Sequence, residues 1–287
     1  MGYHGNSLHA FALENIPHVQ KDDDISQIII NSLNSMNETL VDNDIITIAT
    51  KIICRSEATK IDFNTIEASE EAIDIANKSN RHPGFIQLML NETEILGYNK
   101  QVVLTKFKDS GLVLANGGAD RNDCIENKNV PMKDGVPLRG DSLTHAWMIP
   151  KDPNNTAKQI RINLEEHYKV KIGIIILDSN ARPWRIGTVG YCVGTSGVKT
   201  VDLGKETIER CRDYDGCYWP NAFTVGLGDE LASLGNILMG EYADGTPVVV
   251  IRGLKNILHD THTALTLNRP GTTPWEEYPI SQLETLE

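Results

Sequence analysis

Residues 171–177, KIGIIIL, constrain the fold of this chain more than any other stretch. The run is short, continuously apolar and rich in isoleucine, as suits a strand covered on both faces. Asp178 stands at its carboxyl end. An acid just past such a strand is held in place by the sheet while the following loop leaves it accessible, which suits a metal ligand or catalytic group. Alone, it reads equally well as a turn or cap residue.

Other elements follow from local pattern. Ile25, Ile28, Ile29 and Leu33 recur at helical spacing behind an acidic KDDD start, which complements the positive end of a helix dipole. IITIATKII is β-branched and predicts a buried strand ending near Lys51. Residues 67–79 and 84–96 predict two helices parted by Arg81-His82-Pro83. The stretch around Asp109-Ser110-Gly111 reads as a hairpin whose second strand runs through NGGAD to Asp120. Asn154 to Tyr168 predicts a helix capped by Asn154 or Asn155, residues 226–240 another, and TPVVVIRGL a last buried strand. From Asp123 to Pro150, repeated prolines and glycines predict a long irregular loop. With no repeat and no long linker, residues 1–255 read as one module and 256–287 as a tail.

Composition narrows the function. A formal net charge of -12 and pI near 5.1 work against a nucleic-acid surface, which needs clustered Lys and Arg. Small-molecule substrates are expected, with no nucleic-acid or membrane partner. No apolar run approaches the roughly 20 residues of a membrane span, and the N-terminus lacks a secretory pattern, so a cytoplasmic protein is expected. The five cysteines form no CxxC pair and read as free thiols. Walker, GxGxxG, HExxH and GxSxG motifs are all missing from the sequence.

Asp120 and Asp178, at the ends of different strands, offer hard oxygen ligands suited to Mg²⁺ or Mn²⁺ against phosphate. Arg182 and Arg185, in DSNARPWR, present planar forks for phosphate or carboxylate, or form surface ion pairs. GEYADGTP, from Gly240 to Pro247, is a turn between helix and strand; its backbone and Glu241 also suit a nucleotide and metal site.

The order of the segments IPHVQKDDD, DND with ITIATKIICRSEA, ANGGADRND, PKDPNNTAKQIR, IGIIILDSNARPWRIGTVGYCVGTSGV, GDELASLGNILMGE and PVVVIRGL resembles the coenzyme F420-0:L-glutamate ligase family over residues 11–255. That resemblance implies an α+β fold with mixed and antiparallel sheets, packed helices and two entwined subdomains, and a homodimer. It implies GTP- and metal-dependent ligation of L-glutamate to a deazaflavin cofactor precursor. By the same resemblance Asp120, Asp178 and Ser179 are metal ligands, with Ser179 in place of a family Thr, and Glu241 of the Gly240–Pro247 loop completes the expected metal set. Ile16, Pro17, His18 and Val19, then Thr50, Lys51 and Arg55, then Gly240, Glu241, Tyr242, Ala243, Asp244, Gly245, Thr246 and Pro247 correspond to nucleotide contacts. Arg55 replaces a Lys, and Asp123 replaces an Asn with an acceptor-only group. The longer 123–147 loop and YDGCYW at 214–219 also depart from the family. These departures keep two alternatives open: a paralogue with another acceptor, and a non-catalytic nucleotide- or cofactor-binding protein.

Overall fold

The computed structural model describes residues 4–100, 102–121, 132–133, 136–137, 144–181, 186–202, 217–218, 225–241, 245–264 and 278–279. Along the chain run β1 (His4–Ala12), α1 (Ile25–Ser35), β2 (Ile45–Ala49), α2 (Thr50–Ser56), β3 (Lys60–Asp62), α3 (Glu70–Ser79), α4 (Pro83–Glu92) and β4 (Thr93–Tyr98). Then come β5 (Val103–Phe107), β6 (Val113–Ala115), β7 (His145–Trp147), α5 (Pro153–Tyr168), β8 (Gly173–Ala181), β9 (Thr188–Ser196), α6 (Leu227–Met239) and β10 (Val248–Leu254). The fold is α+β, with mixed and antiparallel sheets and packed helices. None of the described helices is long and apolar enough to cross a membrane.

The elements fall into two compact units, one of residues 1–17, 24–49 and 152–287 and a second of residues 18–23 and 50–151. In the first, a five-stranded sheet has the order β1-β10-β2-β8-β9. Strands β2 and β8 run parallel while the other neighbours are antiparallel. Every residue of β8 from Gly173 to Leu177 is buried, as the KIGIIIL run requires of a strand with no wet face. Ile45, Ile175, Leu177, Cys192, Val249 and Ile251 form a core with Leu227, Leu231 and Ala232 of α6. Contact there is close: a Cβ on Gly190 would fall 2.3 Å from the Ala232 carbonyl oxygen, so only glycine lets α6 approach β9 there.

Local chemistry sets the helix ends. Asp24 accepts from Ser26 and Gln27 N–H groups to start α1, satisfying donors that have no partner inside the helix. Helix α5 is capped by Asp152, with Pro153 in its first turn. The expected Asn154 cap is displaced because proline fits that first turn, where no N–H is needed. Asn154 Oδ1 instead accepts from the backbone N–H of Thr195 and Ala264, at 3.0 and 3.1 Å. Residues 256–264, expected to begin the tail, pack through fully buried Ile257 and Ala264. Leu258 also bridges to Val198.

The second unit is built around Phe63, Phe85, Ile86, Met89, Val103 and Ala146, with a β4-β5-β6 sheet and a β3-β7 pair. The expected hairpin forms between β5 and β6. Three boundaries differ from expectation. TKIICRS is helix α2, so the preceding strand stops at Ala49. The helix expected over 84–96 ends at Glu92, and TEILGY forms β4 against β5, where cross-strand pairing overrides the helical spacing. Within the expected 123–150 loop, His145–Trp147 forms a strand against β3; most of that loop lies outside the described residues.

Candidate functional site

In the first unit the acid-bearing strand runs further than its apolar run suggests. Strand β8 continues through Asp178 and Ser179 to Ala181, paired with β9 in the register Asp178↔Tyr191, Ser179↔Gly190 and Ala181↔Thr188. Successive strand residues leave a sheet on opposite faces. Ser179 shares the face of Ile175 and Leu177, the face packed on α6, whereas Asp178 emerges on the other. Asp178 Oδ1 accepts from the Ser179 N–H at 2.8 Å, which fixes the carboxylate against its own backbone.

Helix α6 ends at Met239 with Gly240 in a positive-φ conformation, and Glu241 follows directly. Thr246 returns its hydroxyl to the carbonyls of Leu238 and Met239, at 3.2 and 3.4 Å, satisfying acceptors at the end of the helix. Three side chains from three elements meet at Glu241. Ser179 Oγ of β8 donates to Oε2 at 3.2 Å, Thr188 Oγ1 of β9 to Oε1 at 3.2 Å, and Asn236 Nδ2 of α6 to Oε1 at 3.0 Å. The last turn of α6 carries no basic residue. The negative end of the helix and the carboxylate therefore add their potentials, an environment that favours a cation.

In the second unit, β6 leads into Asn116-Gly117-Gly118, three residues in succession at positive φ. A Cβ on Gly118 would lie 2.9 Å from Ile149 and 3.0 Å from Leu114, so the tight turn there depends on glycine. The chain then reaches Asp120, whose backbone exchanges two hydrogen bonds with Trp147, at 2.8 and 2.7 Å. Asp120 Oδ2 lies 3.0 Å from Lys51 Nζ, with both side chains about one-third exposed. Lys51 belongs to the first turn of α2, after the buried Thr50, and Arg55 to its last.

The structure thus brings Ser179 to Glu241 and Lys51 to Asp120. Ile16 and Pro17 fall in the first unit and His18 and Val19 in the second; Val19 is buried and His18 exposed. Gly240, Gly245, Thr246 and Pro247 line the connection from α6 to β10, and the Pro247 carbonyl accepts from Ala49 N–H at 2.9 Å. Arg182, Arg185, Tyr242, Ala243 and Asp244 lie outside the described residues. Thr188 and Asn236 did not stand out in the sequence. Their partner is set by strand register and helix phase, and the one local cue is an Asn in the last turn before an acid.

Among the described residues no three His, Cys, Asp or Glu side chains gather at metal-holding spacing. The oxygens a cation would meet there are instead those of the Glu241 carboxylate and the Ser179 hydroxyl. All are hard oxygens, the donor set that Mg²⁺ and Mn²⁺ prefer over sulfur or imidazole, so these residues fit such an ion.

The fold is α+β, and the Glu241 carboxylate meets hydroxyls of β8 and β9 just past the buried run of β8. The chain belongs to the F420-0:Gamma-glutamyl ligase family, whose model matches residues 14–253. It is 31% identical to the coenzyme F420:L-glutamate ligase of Methanothermobacter thermautotrophicus, covering 84% of this chain and 87% of that one. It is 35% identical to the enzyme of the same name from Methanocaldococcus jannaschii, covering 74% and 76%. A third, from Methanopyrus kandleri, is 30% identical over 83% of each chain.

Proposed function

We propose that this protein is a GTP- and divalent-metal-dependent ligase that joins L-glutamate to coenzyme F420-0, or to a related carboxylate acceptor, through an acyl phosphate. Family membership supports the ligase class, and the relatives' names support glutamate as the amine and F420 as the acceptor. The observation in this chain that carries the reading is the meeting of Ser179 and Glu241, 62 residues apart in sequence, beside the strand that bears Asp178.

In this reading Asp120, Asp178, Ser179 and Glu241, the positions expected from the sequence as metal ligands, are committed to Mg²⁺ or Mn²⁺, with Ser179 and Glu241 meeting directly. When bound, the ion supplies charge neutralisation for phosphate oxygens. Thr50, Lys51 and Arg55, residues Ile16 to Val19 and the Gly240–Pro247 connection hold GTP. Lys51 and Arg55 contribute positive charge to a chain that is acidic as a whole. Arg182 and Arg185 orient the anionic acceptor and glutamate through planar forks.

A carboxylate oxygen of the acceptor attacks the γ-phosphorus and GDP departs, leaving an acyl phosphate. The glutamate amine then attacks the acyl carbon, inorganic phosphate leaves, and the nitrogen loses its proton to give the amide. Excluding water at this stage protects the activated carbonyl from hydrolysis. We further propose a cytoplasmic homodimer.

Incubating the protein with GTP or ATP, Mn²⁺, F420-0 and L-glutamate tests the proposal by product mass. The expected result is an acceptor heavier by one glutamyl residue, with one nucleotide diphosphate formed per product. Absence of product together with absence of acceptor-dependent nucleotide hydrolysis would overturn it, and hydrolysis dependent on a different carboxylate would redirect the acceptor assignment.

A further inference from the structure

Glu241 stands in an unusual place for a carboxylate. It follows directly on the carbonyl end of α6, where the helix dipole repels negative charge. Side-chain contacts hold its head group. Those contacts come from three different elements, and two of the residues that make them have no place in the proposed chemistry.

We infer that Thr188 and Asn236 are positioning residues that fix the Glu241 carboxylate for a divalent cation, an inference that rests on the metal-dependent reading above. Both donate to Oε1, at 3.2 and 3.0 Å, while Ser179 donates to Oε2 at 3.2 Å. Oxygen Oε1 is thereby held by one donor from α6 and one from β9, and Oε2 by Ser179 of β8. A hydroxyl that donates keeps its lone pairs, so Ser179 can donate to Glu241 and still offer its oxygen to a cation.

Asn236 serves this purpose better than a cation would, because its amide donates a hydrogen bond without cancelling the negative charge that an ion must find. Thr188 lies in the first position of β9, directly across from Ala181. Its hydroxyl is therefore carried by the same strand pair that carries Ser179. Because the three donors are anchored on rigid elements, the carboxylate is set in place before any ion arrives. Such supporting hydrogen bonds commonly change metal affinity by roughly 10- to 100-fold when removed.

The test is Mn²⁺ binding, read by calorimetry and by the electron paramagnetic resonance spectrum of the bound ion, in the full chain. Thr188→Val removes the hydroxyl with little change of shape, and Asn236→Leu removes the amide. Each is expected to weaken Mn²⁺ binding about tenfold or more and to broaden the bound-ion spectrum, with the circular dichroism spectrum unchanged. Thr188→Ser keeps the hydroxyl and is expected to bind Mn²⁺ within about twofold of the parent, a rescue that a purely structural role for the threonine would not require. Thr188 is exposed at a strand end, so its variants keep the test open should Asn236→Leu fold poorly. Parent-like Mn²⁺ affinity in Thr188→Val overturns the positioning role while leaving the metal-dependent reading intact. Failure of the parent protein itself to bind Mn²⁺, with or without GTP, overturns both.

Discussion

Replacing Gly235 by alanine tests how closely α6 is pressed against the sheet, and the answer bears on where Asn236 and Glu241 stand. A Cβ at position 235 would lie 2.2 Å from Thr47 Oγ1 and 2.8 Å from Thr47 Cβ. The hydroxyl can rotate away, but the Cβ belongs to the middle of β2 and cannot, so the helix must withdraw. Two effects oppose each other. In a free helix the change from glycine to alanine gains about 1 kcal/mol, whereas overpacking a filled core costs about 1–3 kcal/mol. An overlap with the Thr47 Cβ itself places the cost at the upper end, leaving a net loss of about 2 kcal/mol. For a chain of 287 residues that lowers Tm by about 3 °C if the whole chain unfolds in one step, and by more if the first unit melts alone. Thermal and urea melts followed by circular dichroism measure the loss. Thr47→Ala removes Oγ1 and Cγ2, so the double variant is expected to recover part of the deficit as a coupling energy. A Gly235→Ala protein that melts above the parent would refute the reasoning, because it would mean that α6 does not rest against β2.

Two further outcomes follow from groups outside the site. Asp44 is fully buried and takes a forked pair of hydrogen bonds from Arg252, at 2.9 and 2.8 Å, while Arg252 also donates to the Thr39 carbonyl at 2.7 Å. Arg252→Met leaves that carboxylate buried without its counter-ion and is expected to cost about 3 kcal/mol in urea unfolding; a loss below about 1 kcal/mol would contradict the account. Burial, reinforced by nearby Asp229, pushes the Cys192 thiol well above its usual range, so it stays protonated and unreactive at mildly alkaline pH. Peptide mass spectrometry after iodoacetamide treatment at pH 8 should find Cys192 unmodified in the native protein and modified in urea, and rapid native labelling would show that the core around β9 is open.

The parts of the fold that were legible in sequence are those whose burial pattern is local. KIGIIIL declared a doubly covered strand because its apolar run is short and isoleucine-rich, too brief for a buried helix, and the acidic start before Ile25 marked a helix that Asp24 in fact caps. Strand β1 was missed: HGNSLHAFA has little β-branching, and its partner Val248–Leu254 lies more than two hundred residues away. Helix α2 was hidden because Ile52 and Ile53 read as strand, and β4 because TEILGY continues the spacing of the helix before it. In the site, a position for Asp178 beside the buried strand could be read from its place after the apolar run. The partnership of Ser179 with Glu241 could not. It depends on the register of β8 against β9 and on the length of α6, and the sequence pointed to it only through likeness to a family. Thr188 and Asn236 lay beyond either route, since hydroxyl and amide side chains at an element's end carry no periodic signal.

The Asp178 carboxylate, just past the apolar run of β8, is expected to serve a metal and a nucleotide. Calorimetric titration of GTP in the presence and absence of Mn²⁺ onto the parent protein and Asp178→Asn tests it most directly, because the substitution keeps the side chain's shape and removes its charge. The expected result is Mn²⁺-dependent GTP binding and amide formation in the parent, and loss of both in a variant that unfolds at the same urea concentration. Equal Mn²⁺-dependent GTP affinity and equal turnover in the two proteins would contradict the account.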